Sequence, residues 1–149
     1  MADFLTGAGT KFRLGPVNTA ADDEAAYKLL SYVECGKVLS VGEFGDIANI
    51  VNSTPLNSGR VGKAKGSRDA GSSPIVLQFD SADLGQQALE AADDSDDTYA
   101  VEIELPNGRA FWFRALINGV RPSVGGVDDP ITANVTVELV SKIVRGALP

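Results

Sequence analysis

Residues Glu104–Leu116 read ELPNGRAFWFRAL. Asn107 and Gly108 tolerate the positive φ angles of a tight turn, so this pair joins two antiparallel strands. On the incoming side Tyr99, Val101, Ile103 and Leu105 alternate with Ala100, Glu102 and Glu104. On the return side Phe111, Trp112 and Phe113 place the only tryptophan and two of the six phenylalanines in consecutive positions. The length of the turn decides which of them point inward. A two-residue turn sets Trp112 opposite Ile103 and leaves Phe111 and Phe113 against Glu104 and Glu102. One extra residue, or a bulge, reverses every face. Phe111 and Phe113 then join Leu105 and Ile103 inside, and Glu102 meets Arg114. We prefer the second register, which pairs charges and buries more phenylalanine. In either, aromatic side chains remain on the second face, to be covered by the helix or by a neighbouring subunit.

Outward from this hairpin the chain is mostly β. The last strand alternates Ile131, Ala133, Val135, Val137 and Leu139 with Thr132, Asn134, Thr136 and Glu138. Its only charge is Glu138, so the segment Ile131 to Val140 is expected to form an unprotected edge through which copies associate. Pro74 to Asp80 is a strand, as is Tyr32 to Val41, interrupted at Gly36. Gly9 to Pro16 alternates Phe12 and Leu14 with Lys11 and Arg13, the pattern of a half-buried strand. A helix is expected over Ser81 to Ala92, with Asp80 as a capping-box-like start and Leu84, Ala88, Ala91 and Ala92 as its apolar face. A further helical turn or two is signalled by Thr19 or Asp22.

The segment from Asn52 to Gly71 breaks the pattern. It is rich in glycine and has no periodic apolar face, so it reads as a long loop. Arg60, Lys63, Lys65 and Arg68 stand there against one acid, Asp69, on a chain of net charge −7. Twenty residues of loop are unusual in a compact domain without a function. A basic arm on an acidic body points to docking on an acidic surface of another copy, beside the plainer reading of a solvated loop.

The totals limit the chemistry. A length of 149 residues fits one domain spanning 1–149, and 44% hydrophobic residues is ordinary for a folded chain. There is no histidine and only one cysteine, which removes the usual neutral-pH base and any thiolate metal site. Cys35 lies among apolar residues and reads as a core thiol. The Asp93 to Asp97 run lacks the glycine and final glutamate of a calcium loop and reads as a solvated turn. Glu102 and Glu104 would stand about 6–7 Å apart on one strand face, a spacing hydrolases can use. With no substrate-binding pattern around them, no catalytic, cofactor or metal site is assigned. No apolar run is long enough to span a membrane, and the start has no secretory-signal pattern, so a cytoplasmic origin is expected. The acid balance disfavours gripping nucleic acid. A monomeric β-barrel binding module remains the alternative from another class.

Taken together, GAGT (Gly7 to Thr10), Gly42 and Glu43, AGSSPIVLQFDSADLGQQAL (Ala70 to Leu89), LPNGRAFWFRALI (Leu105 to Ile117) and the last strand resemble the tail tube proteins of long-tailed, non-contractile bacteriophages of the lambda type. The resemblance implies an antiparallel β-barrel or sandwich flanked by one helix, assembling as hexameric rings that stack into a hollow tube. It also implies a virion subunit made in the host cytoplasm, with other tail proteins at the tube ends and DNA passing without specific binding. The arm would then reach a neighbouring subunit, and Glu102, Glu104 and Glu138 become candidates for lining the lumen. The same fold serves contractile tails and secretion tubes, so a tube in a tail-like, gene-transfer or secretion particle is a further reading.

Overall fold

A computed structural model describes residues 6–17 and 23–147. Its elements are β1 (Lys11–Val17), α1 (Glu24–Lys28), β2 (Val33–Cys35), β3 (Val38–Ser40), β4 (Ile47–Ser53), β5 (Gly62–Asp69), β6 (Ser72–Gln78), α2 (Leu84–Asp93), β7 (Tyr99–Glu104), β8 (Arg109–Ser123), β9 (Thr132–Leu139) and β10 (Val144–Ala147). The main sheet runs β2-β1-β7-β8-β9-β6-β3, with β10 also paired to β8. Every pairing is antiparallel. Its two ends, β2 and β3, are separated in the chain only by Gly36 and Lys37. A sheet whose edges meet across a two-residue link has to curl on itself. The result is a mainly β, antiparallel half-barrel with a helix against it, which falls within the expected class of barrel or sandwich flanked by a helix.

Phe12, Leu14, Ile75, Leu77, Val101, Ile103, Phe113, Val135 and Val137 fill the inside of the curl, and Leu89 and Ala92 of α2 join them. Each such side chain contributes about 1.5–3 kcal/mol by leaving water. Cys35 is part of this cluster, as its apolar setting in the sequence indicated.

The helix closes the seam of the sheet. Asp83, not Asp80, is its N-cap, and the Asp83 carboxylate accepts both from the Gln86 amide (3.0 Å) and from the Gly36 amide of the link (3.1 Å). Asp80 instead pairs with Lys37 at 3.2 Å. The Gln86 side chain donates to the carbonyls of Gly36 (3.2 Å) and Gln78 (2.7 Å) and accepts from the Asp80 amide (2.8 Å). One buried amide therefore ties the link between β2 and β3, the end of β6 and the helix together. The buried face is Gly85, Gln86, Leu89 and Ala92, whereas Leu84 is exposed. The expected face was rotated because cap contacts, and not apolar spacing, orient this helix.

The hairpin adopts the register with one extra turn residue. Leu105 donates to the Arg109 carbonyl at 2.7 Å, Gly108 sits at φ 88°, and Ile103 pairs with Phe111 and Val101 with Phe113. Phe113 faces the core, and Trp112 faces the other side with Ala100, Ala110 and Tyr27. Within the subunit that second face is covered by α1 and β10, not by α2. Asp23 caps α1; the expected start residues Thr19 and Asp22 lie outside the described residues. β10 was not foreseen: it adds to β8 beside Trp112, with Val144 as its partner.

Two further expectations are corrected. β9 lies between β8 and β6, so the segment Ile131 to Val140 is an interior strand and not a free edge. Its scarcity of charge reflects burial between neighbours. Much of the segment from Asn52 to Gly71 is strand: β4 and β5 form a separate two-stranded hairpin. All eight β5 residues are exposed, so no apolar periodicity marked this strand in the sequence.

Two consequences are measurable. A Cβ on Gly85 would lie 2.3 Å from the Glu34 carbonyl oxygen, so Gly85→Ala is expected to destabilise by about 1–3 kcal/mol, read from the denaturant midpoint. Burial, with the Asp83 and Glu34 carboxylates nearby, pushes the Cys35 thiol up to about 12, above an unfolded value near 8.5. A raised folded pKa stabilises fully below the unfolded value and is lost as pH rises towards the folded one. Denaturant midpoints should therefore fall from about pH 8.5 upward, less steeply in Cys35→Ala. The slope should not vanish, because burial raises the Tyr32 hydroxyl as well.

Candidate assembly interface

The arm stands on an aromatic anchor. Between β3 and β4 the chain runs Gly42-Glu43-Phe44-Gly45, with Gly42 at φ 58° and Gly45 at φ 149°. These left-handed glycines bracket Phe44, whose ring meets Phe111 edge-on at 5.3 Å and Phe113 at 6.1 Å. The FWF triplet thus serves two surfaces. Its phenylalanines seat the root of the arm, and its tryptophan holds the opposite face. Sequence reasoning did not single out Phe44, although an aromatic residue between two glycines is a signal for an anchored bend.

Beyond the anchor, Ile50 pairs with Lys65, Asn52 with Lys63 and Ala48 with Arg68, with a bulge between Ala48 and Ile50. Lys63 and Lys65 therefore share one face of the ribbon. Arg60, Lys63, Lys65 and Arg68 are all exposed. None of them joins an ion pair among the described residues. Ile47, Ile50, Val51, Leu56 and Val61 are exposed as well. The arm combines unpaired cations with apolar side chains that have no core beneath them.

The three candidate acids separate. Glu102 is only 5% exposed. It accepts from Arg13 of β1 at 2.5 Å and from the Trp112 indole at 2.8 Å. The expected partner Arg114 lies opposite Ala100, whereas Arg13 is the direct cross-strand neighbour of Glu102. Glu102 is thus removed from the set of surface acids. Glu104 also bonds Arg13, at 3.0 Å. Burial works against the Arg13 charge, but the hydrogen bonds and attraction from both glutamates outweigh it and raise its pKa. The glutamate pair is a clamp for one arginine. Glu138 stands apart, on the polar face of β9, in no ion pair among the described residues.

The family model described as phage tail tube protein, TTP, matches residues 6–147. The chain belongs to that family: it is a structural subunit of a tail tube and part of the virion. Comparison with curated protein sequences finds no match. Among solved structures, the anti-feeding prophage baseplate, 6-fold symmetrised, is similar at a TM-score of 0.74 and 8% identity, over 99% of this chain and 98% of that one. The SPP1 tail tube is similar at 0.66 and 14%, over 97% and 80%. The virion of a native gene transfer agent particle matches at 0.64 and 14%, over 97% and 100%. At these identities the likeness is one of fold. No described helix is long and apolar enough to cross a membrane.

The Arg13 clamp makes a graded prediction. Glu102→Ala leaves a buried indole donor and a half-buried guanidinium short of a partner, and should cost about 2–4 kcal/mol in urea unfolding. Glu104→Gln should cost less than about 1 kcal/mol. Equal costs would show that the two acids share Arg13 evenly.

Proposed function

We propose that this chain assembles as hexameric rings, stacked into a hollow tube through which DNA passes during ejection. The observation that carries this reading is the β4–β5 hairpin. A lone two-stranded ribbon is marginal in water, and this one exposes Ile47, Ile50, Val51 and Leu56 as well as its cations. Contact with other copies supplies the cover that the subunit lacks. Six copies agree with the symmetry named for the anti-feeding prophage baseplate, whose fold is shared. The rings form in the host cytoplasm, and other tail proteins close the tube ends. The net charge of −7 suits a conduit that must not hold phosphate. The cargo of a tail-like or gene-transfer particle would be served by the same tube.

Negative-stain micrographs of the purified protein should show stacked rings with six-fold end views. Sedimentation as monomer alone, over wide ranges of concentration and salt, would sink the proposal. Deleting residues 59–67 should leave a folded subunit that no longer forms long tubes. Of the three acids, Glu138 remains the candidate for the lumen wall. Particles carrying Glu138→Lys should release DNA more slowly, most of all at low salt, where screening is weakest. Unchanged release from tubes of normal length would place Glu138 elsewhere, and loss of tubes would place it in a contact between copies.

A further inference from the structure

The subunit carries a second unbalanced surface, opposite in sign to the arm. The last turn of α2 has no basic residue, and Glu90, Asp93 and Asp94 crowd it, with Asp96 and Asp97 just beyond. The C-terminal end of a helix already bears partial negative charge, so acids there are unfavourable. None of these five joins an ion pair among the described residues. They are not simply dispersed over the surface. Asp93 and Asp96 border a cleft of about 370 Å³ that also takes in the side of Leu116 and reaches Glu138. A local arrangement that costs stability, placed around an open cleft with an apolar wall, would be relieved by a cation from outside, since no described residue pairs with these acids.

The arm has the matching pattern. Lys63 and Lys65 lie on one ribbon face, two residues apart and so about 6–7 Å from each other, with Ile50 and Asn52 opposite them on that face. We infer that the Lys63–Lys65 face of one copy docks into the Asp93–Asp96 cleft of a second copy, with Ile50 against Leu116. This rests on the tube reading above and names the surface that receives the arm. Because donor and acceptor are different patches of one chain, the contact is heterologous, and between rings, where no rotation closes it, it repeats along the stack. It also gives the stack a direction. At one end a row of arms is left empty-handed, and the tail protein that seats there must offer carboxylates around an apolar patch.

Charge reversal tests the contact. The double variants Lys63→Glu/Lys65→Glu and Asp93→Lys/Asp96→Lys should each lose tubes in micrographs and sedimentation, while circular dichroism reports a folded subunit. Combining all four substitutions should restore tubes. The aspartate variant has a second readout. Lysine at this helix end suits the helix dipole, so its subunit should melt about 2–5 °C higher than the wild type. If either reversed pair assembles like the wild type, or the combination fails to restore tubes, the contact is overturned. A wild type that forms no tubes would overturn the tube reading and this contact with it. Retention of the wild type but not of Lys63→Glu/Lys65→Glu on duplex DNA, with tubes unaffected, would assign the arm to DNA instead.

Discussion

The two edges of the main sheet are joined by Gly36 and Lys37, and this link sets the shape of everything else. Antiparallel pairing from β1 round to β6 has to return to where it began, so the sheet curls and encloses its apolar face. Closure by main-chain hydrogen bonds stops at β2 and β3. The buried side chain of Gln86 takes over there, with hydrogen bonds to Gly36, Gln78 and Asp80. A buried amide that finds this many partners stabilises, and one that lost them would be costly. The close approach of Gly85 to the backbone of Glu34 and Cys35 is what brings Gln86 within reach. Helix and sheet are therefore positioned by the same few atoms.

One extra residue in the Pro106-Asn107-Gly108 turn has a comparable reach. It sends Phe113 to the core and Trp112 to the face under α1 and β10. It leaves Phe111 beside Phe113 as a bed for Phe44. The arm is thereby fixed at its root and free along its length. Its residues make almost no contact with the body of the subunit, so the ribbon's own hydrogen bonds maintain its shape. Rigidity at the base with exposure beyond it is what a contact with another copy requires.

Much of this was legible because alternation survives wherever one strand face is buried. Phe12 and Leu14, Val101 and Ile103, and Val135 and Val137 all declared their side. The hairpin register was reached from the pairing of Ile103 with phenylalanine, although the partner of Glu102 was misjudged. Arg13 sits on a strand more than eighty residues upstream of Glu102, and no local pattern links them. β5 was read as loop because its side chains meet solvent on both faces. Strand order was equally hidden: alternation in β9 records one buried face but not that both of its edges are paired. The helix face followed Asp83 and Gln86, polar residues whose partners lie on distant segments. In the candidate interface, the four cations of the arm were visible as composition. Phe44 and the cleft beside Asp93 exist only through packing.

The placement of Trp112 has an optical consequence. It is the chain's sole tryptophan, it is fully buried, and its indole donates to Glu102 inside the subunit. The arm is anchored through Phe44 on the other side of the hairpin, and the acidic cleft lies off the far end of α2. Indole emission therefore reports the integrity of one subunit and is insulated from contacts between subunits. Unfolding and disassembly, which most spectroscopic probes of a polymer mix together, are separable here: emission follows the first, and light scattering the second.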